Sequence, residues 1–173
     1  MWIFKDYRLL SDDEHQELLS IRNQEHIRNA SHSSDIITME EHLKWLKRLS
    51  TCRTYFALII DEKIYGGIYY IKEKNSIKEW GMFFNKNTAP LITLLANYIF
   101  IEYMFQETEV LYSEILLHNQ KALEFNQYLG ITIKKQTSIS YKMILTKQQW
   151  QDHKKNLTIL HKRVKKIKYL FVI

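Results

Sequence analysis

Asn119 stands where a strand-like run, Val110 to Leu117, gives way to His118-Asn119-Gln120-Lys121-Ala122-Leu123-Glu124-Phe125, and Gly130-Ile131 closes the segment. Its amide can cap a helix, Ala122 and Phe125 fall on one face of that helix, and Gly130 supplies the left-handed residue that stops it. A second junction of this kind is Asn87-Thr88-Ala89-Pro90, where Thr88 is expected to cap a long apolar helix and Pro90 to sit in its first turn. The chemistry open there is anion recognition, because unpartnered N–H groups and the helix dipole both favour negative charge.

The elements that must position these junctions are legible in order. Phe4 to Leu10 reads as a first strand, and Ser11-Asp12-Asp13-Glu14 is a capping box that opens a helix running to about Asn23. Thr38-Met39-Glu40-Glu41 repeats the device, and Leu43, Trp45, Leu46 and Leu49 give the next helix its apolar stripe. Between them, Gln24 to Ile37 is a polar connector read as a loop that carries ligand contacts. Tyr55 to Ile60, Ile64 to Ile71 and Ile77 to Phe84 form an antiparallel meander, and Leu91 to Phe105 a buried helix. After Gly130, Ile131 to Lys135 and Ile139 to Leu145 close the sheet, and a helical pattern resumes at Thr146.

A chain of 173 residues with 46% hydrophobic content can bury one good core, so residues 1–150 are expected to be a single domain and 151–173 a basic helical extension. Four glycines and one proline exclude a disordered chain. Cys52 is the lone cysteine, which excludes an internal disulfide and a thiolate metal cluster; no metal and a cytoplasmic location are expected. Leu91 to Phe105 carries Asn97 and Glu102 and falls short of the roughly 20 residues a membrane crossing needs. The formal charge of +6 gathers at His161-Lys162-Arg163-Val164-Lys165-Lys166-Ile167-Lys168, read as a solvated helical face, with neither nucleic acid nor membrane as partner. The apolar ending Tyr169 to Ile173 has three open uses: a homodimer interface, an extra strand, or core packing.

The run from Asn119 to Ile131 resembles the Asn-x-x-Ala-x-x-(Phe/Leu)-Tyr-x-x-x-Gly-(Phe/Ile) signature of the Gcn5-related N-acetyltransferases, and the order of elements agrees over roughly Phe4 to Leu145. The resemblance implies an α/β (α+β) fold with a mixed sheet of about seven strands, splayed between the fourth and fifth and flanked by helices. It further implies acetyl-CoA as cosubstrate, held by Met82, Phe83, Phe84, Asn87, Thr88, Ala89, Pro90, Asn119, Ala122 and Phe125. The family's usual glycine loop is missing before Pro90, and Asn126 occupies the position of the tyrosine that protonates the leaving thiolate. Tyr128 lies roughly 200 degrees further around the helix. A base must neutralise the attacking amine, and Glu79 is the first candidate, with His118 and His42 as rivals.

Ile21-Arg22-Asn23, Ile27-Arg28, Ile36-Ile37 and Glu41-His42-Leu43-Lys44-Trp45 resemble a pattern of the sugar-nucleotide and ribosomal-protein branches of that family. This implies a UDP-linked amino sugar as small-molecule substrate, acetylated at the 4-amino group of a 4,6-dideoxy ring. Arg22, Arg28 and Lys72 are then candidate partners of the pyrophosphate, with His42 near the nucleotide. A protein N-terminus or another small amine is the alternative acceptor, and a degenerate acetyl-CoA-binding module the alternative to catalysis.

Overall fold

The computed structural model describes residues 1–173. Eight strands run β1 (Trp2–Asp6), β2 (Arg53–Ile60), β3 (Lys63–Glu73), β4 (Ser76–Phe84), β5 (Val110–Leu116), β6 (Thr132–Gln136), β7 (Ser140–Thr146) and β8 (Tyr169–Val172). Seven helices intervene: α1 (Asp12–Arg22), α2 (Glu25–Asn29), α3 (Met39–Leu46), α4 (Pro90–Met104), α5 (Gln120–Tyr128), α6 (Lys147–His153) and α7 (Thr158–Val164). The strands hydrogen-bond in the order β6-β7-β5-β4-β3-β2-β1-β8. The chain divides into two compact units, one made of residues 1–69, 82–90 and 167–173, the other of 70–81 and 91–166.

In the first unit β1 pairs antiparallel with β2, Phe4 opposite Leu58, and parallel with β8, Phe4 opposite Phe171. The apolar ending is therefore an eighth strand where about seven were expected, and 151–173 is helical only in part. Phe171 stacks on Phe4 at 4.5 Å between ring centres and meets Phe56 edge-on at 5.3 Å. The first strand ends at Asp6 rather than Leu10, because the Asp6 carboxylate accepts the Arg8 N–H at 2.8 Å and turns the chain into a short 3-10 helix. Both expected capping boxes form, Ser11 with Glu14 and Thr38 with Glu41. The polar connector holds the short helix α2, anchored by buried Ile27. Asn23 clamps the end of that connector with two bonds, Nδ2 to the Ile37 carbonyl at 2.8 Å and the Ile37 N–H to Oδ1 at 2.9 Å.

In the second unit β4 and β5 run parallel at Ser76–Val110 and Ile77–Leu111, while β5 pairs antiparallel with β7 and β7 with β6. The polar residues inside α4 have local partners. Asn97 Nδ2 donates to the Thr93 carbonyl at 2.7 Å, and Glu102 accepts from the Trp150 indole and pairs with Lys154. Tyr98, buried in α4, shares a 2.8 Å hydrogen bond with His161 of α7. Lys162, Arg163, Lys165, Lys166 and Lys168 remain exposed. No helix is long and apolar enough to cross a membrane.

Gly130 follows α5 with φ of 82°, and a Cβ built there would lie 2.5 Å from the His153 ring. The His153 imidazole is itself fixed to the Tyr128 carbonyl at 2.9 Å. Gly130→Ala combines a left-handed penalty with a clash, and urea unfolding should show a loss of about 1–3 kcal/mol.

Candidate active site

Five elements of the first unit meet around Tyr7. The phenol is only 3% exposed, and its ring lies 5.6 Å from Tyr55, 6.3 Å from Trp45 and 6.2 Å from His42. Trp45 stands edge-on to Tyr55 at 4.7 Å, and Tyr55 stacks on Tyr69 at 4.9 Å. Gly67 leaves the space for this contact: a Cβ there would fall 2.2 Å from Tyr7 Oη and 2.6 Å from the Phe83 ring. A Cβ at Gly66 would fall 2.1 Å from the Phe83 carbonyl oxygen.

Arg22 closes the cluster from the end of α1. Its guanidinium lies over the Phe83 ring, 5.9 Å from the centroid. Burial pulls its pKa down, against the opposing influence of Tyr7 and Tyr69, so the cation is held where it is poorly solvated. Its Nη1 and the Tyr7 hydroxyl are both buried without a hydrogen-bond partner. Two orphaned donors in one place, one cationic, call for an acceptor that carries negative charge.

Behind them His15 Nδ1 and His42 Nε2 share a hydrogen bond of 3.0 Å. Burial first, and then the neighbouring His15, push the His42 pKa down to about 4; burial lowers that of His15 as well. His42 is 7% exposed, so it serves as a neutral wall of the cluster.

The other expected substrate contacts are placed differently. Arg28 is used on its own loop, Nε donating to the Asn23 carbonyl at 3.0 Å and Nη1 to the Ser34 carbonyl at 2.6 Å. Lys72 belongs to the second unit, where its ammonium pairs with Glu107 at 2.6 Å, a hydrogen bond that raises its pKa. Trp80 is 3% exposed and packs near Phe100.

Among the residues expected to hold acetyl-CoA, Met82, Phe83 and Phe84 end β4 half-buried, and His26 Nε2 lies 3.1 Å from the Phe84 carbonyl. Asn85 organises the loop that follows, taking the Asn87 N–H on Oδ1 and the Thr88 N–H on its carbonyl. The Thr88 hydroxyl donates to the Tyr65 carbonyl at 3.4 Å, so Thr88 does not cap α4, which begins at Pro90 with Ala89 before it. In the second unit Asn119 caps α5 as expected, its Oδ1 accepting the Ala122 N–H at 3.2 Å. Ala122 and Phe125 are half-buried on α5.

Of the expected catalytic groups, Glu79 is half-buried on β4. Asn126 is buried, and its Nδ2 donates back to the Ala122 carbonyl at 2.8 Å, which fixes the amide within its own helix. Tyr128 is 52% exposed at the end of α5. Tyr7, His15 and Tyr55 were not marked by the sequence as site residues. The Glu41-His42 and Trp45 pattern was the signal that led into their neighbourhood.

A mixed sheet of this order, with an asparagine-capped helix after the fifth strand, is that of the acyl-CoA N-acyltransferases. The chain belongs to the Gcn5-related N-acetyltransferases, which move an acetyl group from acetyl-CoA to an amine. It is 30% identical over 133 residues to the acetyltransferase PseH of Campylobacter jejuni subsp. jejuni serotype O:23/36 (strain 81-176), covering 75% of this chain and 83% of that one. The crystal structure of Campylobacter jejuni N-acetyltransferase PseH in complex with acetyl coenzyme A superposes with a TM-score of 0.69 at 26% identity, covering 85% and 99%. Spermidine N-acetyltransferase from Vibrio cholerae, in complex with CoA and spermine, shares the fold with a TM-score of 0.68 at 11% identity, covering 82% and 95%. No protein-family model matches the sequence.

The histidine pair has a pH signature. A folded-state pKa below the ordinary 6.5 means that the neutral pair stabilises the fold above that pH, and that the stability is lost as pH falls towards about 4. An NMR titration should leave the His42 ring neutral at pH 5.5, and the thermal midpoint should drop between pH 6.5 and 4. A His42 ring titrating near 6.5 would contradict the packing described.

Proposed function

We propose that this enzyme transfers the acetyl group of acetyl-CoA to the 4-amino group of a UDP-linked 4-amino-4,6-dideoxy sugar, the acetylation of pseudaminic acid biosynthesis that serves flagellin glycosylation. The observation that carries the reading is the pair of orphaned donors, Tyr7 Oη and Arg22 Nη1, beside Phe83 at the end of β4. A diphosphate supplies the acceptor oxygens and the negative charge that this pair lacks. A polyamine would bring further positive charge to a buried guanidinium, which costs free energy instead of releasing it. The similarity to PseH and the Arg22, Asn23, His42 and Trp45 pattern support the same acceptor.

The chemistry is direct aminolysis. Glu79 takes one proton from the ammonium; the neutral amine then forms the N–C bond as the C–S bond breaks, and the second proton, shed by the acylated nitrogen, passes to the CoA thiolate to give the free thiol. A thiolate with an ordinary pKa near 8.5 is a tolerable leaving group, so Tyr128 or a water beside Asn126 suffices as proton donor. Asn119 is assigned to the pantetheine arm and the Asn87 to Pro90 turn to the pyrophosphate of CoA. No metal enters this scheme.

Thermal unfolding tests the reading, because a ligand bound by the native state alone raises the midpoint. Acetyl-CoA and UDP should each stabilise the chain. Arg22→Gln should weaken UDP and raise KM for the sugar nucleotide by about tenfold or more, the scale of one charged hydrogen bond, with acetyl-CoA binding kept. Stabilisation by acetyl-CoA with none by UDP would remove the sugar-nucleotide acceptor and leave the acetyltransferase.

A further inference from the structure

The turn between β4 and α4, residues 85–89, holds no glycine and no residue of positive φ, so its shape is set by anchors and not by backbone freedom. Some anchors come from β3 and from the turn itself. The Asn85 N–H donates to the Tyr65 carbonyl at 2.8 Å, the Asn87 N–H to Asn85 Oδ1 at 3.1 Å and the Thr88 N–H to the Asn85 carbonyl at 2.8 Å. Two more come from the polar connector. Gln24 Oε1 takes the Lys86 N–H at 2.9 Å, and His26 Nε2 stands 3.1 Å from the Phe84 carbonyl, which can only accept, so the imidazole donates. With the N–H groups of residues 85–88 all committed, the first open one in the turn is that of Ala89. The connector is itself braced. Gln24 occupies the capping position of α2 yet sends its side chain to Lys86 and not to its own helix. Its N–H donates to the Ile21 carbonyl at 3.0 Å, and its carbonyl accepts the N–H of Ile27 at 3.0 Å and of Arg28 at 3.1 Å.

We infer that Gln24 and His26 are positioning residues for acetyl-CoA, holding the end of β4 and the turn after it so that the Ala89 N–H meets the diphosphate in one orientation. The inference rests on the assignment of the Asn87 to Pro90 turn to that diphosphate and adds the residues that keep the turn rigid. A preset turn binds an anion without first losing conformational freedom, so release of the two anchors weakens the diphosphate contact and spares the pantetheine arm. The same segment carries Arg22, whose guanidinium lies over Phe83, next to the anchored Phe84. Cofactor turn and proposed acceptor contact are thus referenced to one short stretch of chain, Arg22 to His26, which favours a constant geometry between the two reactants.

Isothermal titration of the full chain with acetyl-CoA, and with S-acetylpantetheine as a probe lacking the diphosphate, tests this. The unaltered chain should bind acetyl-CoA the more tightly. The double variant Gln24→Met, His26→Leu removes both anchors and spares the buried Ile27 between them. It should weaken acetyl-CoA by about tenfold, the scale of two hydrogen bonds, and leave S-acetylpantetheine within about twofold of the unaltered chain. His26→Leu alone should lose about threefold, and His26→Gln, which returns a donor N–H, should recover it. If the double variant does not unfold cooperatively, Gln24→Met alone makes the same comparison at about threefold. Acetyl-CoA affinity unchanged on removal of the anchors, both ligands weakened equally, or no recovery in His26→Gln would overturn the positioning role and leave the turn assigned to the diphosphate. Equal affinity of the unaltered chain for the two ligands would overturn the role and that assignment together.

Discussion

Two adjacent glycines in β3 set how closely the chain can pack where the acceptor is proposed to bind. A side chain at Gly66 would collide with the backbone of β4, and one at Gly67 would collide with the Tyr7 hydroxyl and the Phe83 ring. Without those two vacancies the Tyr7 phenol could not be buried beside Phe83, nor could Arg22 lie over that ring. The arrangement has a thermodynamic consequence. Each buried donor without a partner costs about 1–3 kcal/mol, and the protein tolerates two of them within one cluster. A fold that carries such a cost gains from a ligand that relieves it, which links the packing of β3 to the chemistry proposed for Arg22.

The second unit solves a different problem, that of holding a helix start in one orientation. Asn119 bonds the first turn of α5, Asn126 bonds back to Ala122 one turn later, and Gly130 with the His153 imidazole fixes the far end. Helix, cap and stop are therefore specified by side chains within about a dozen residues, plus one contact from α6. Such local specification suits a ligand that reads backbone N–H groups, since their direction depends on where the helix begins.

What could be read in the sequence divides along the range of the interaction. Capping boxes at Ser11 and Thr38, the strand meander and the Asn119 to Gly130 segment rest on partners a few residues apart, and all are present in the structure; the further box at Thr146, closed by Gln149, was read only as the return of a helical pattern. For β8 a strand was only one of three open readings, because the partner that decides it is β1, with Tyr169 opposite Trp2 at the other end of the chain. Arg28 was taken from the Ile27-Arg28 pattern and Lys72 for its charge, and neither signal reveals that a carbonyl of the same loop or a distant Glu107 already claims the side chain. Tyr7 was hidden as an ordinary strand residue; only the turn made by Asp6 takes it out of β1 and into the cluster. Arg22 and His42, expected as substrate contacts, both border the Tyr7 cluster, where His42 packs as a neutral ring against Tyr7 and Trp45.

The account turns on one reaction, the acetylation of a nucleotide-linked amine at the expense of acetyl-CoA. Its most direct measurement offers the purified chain acetyl-CoA with a UDP-linked 4-amino-4,6-dideoxy sugar and, separately, with spermidine, following thiol release and the mass of the products. The account predicts one thiol released for each acetyl group gained by the sugar nucleotide, and no acetylated spermidine. Acetylation of spermidine with an unmodified sugar nucleotide would contradict it.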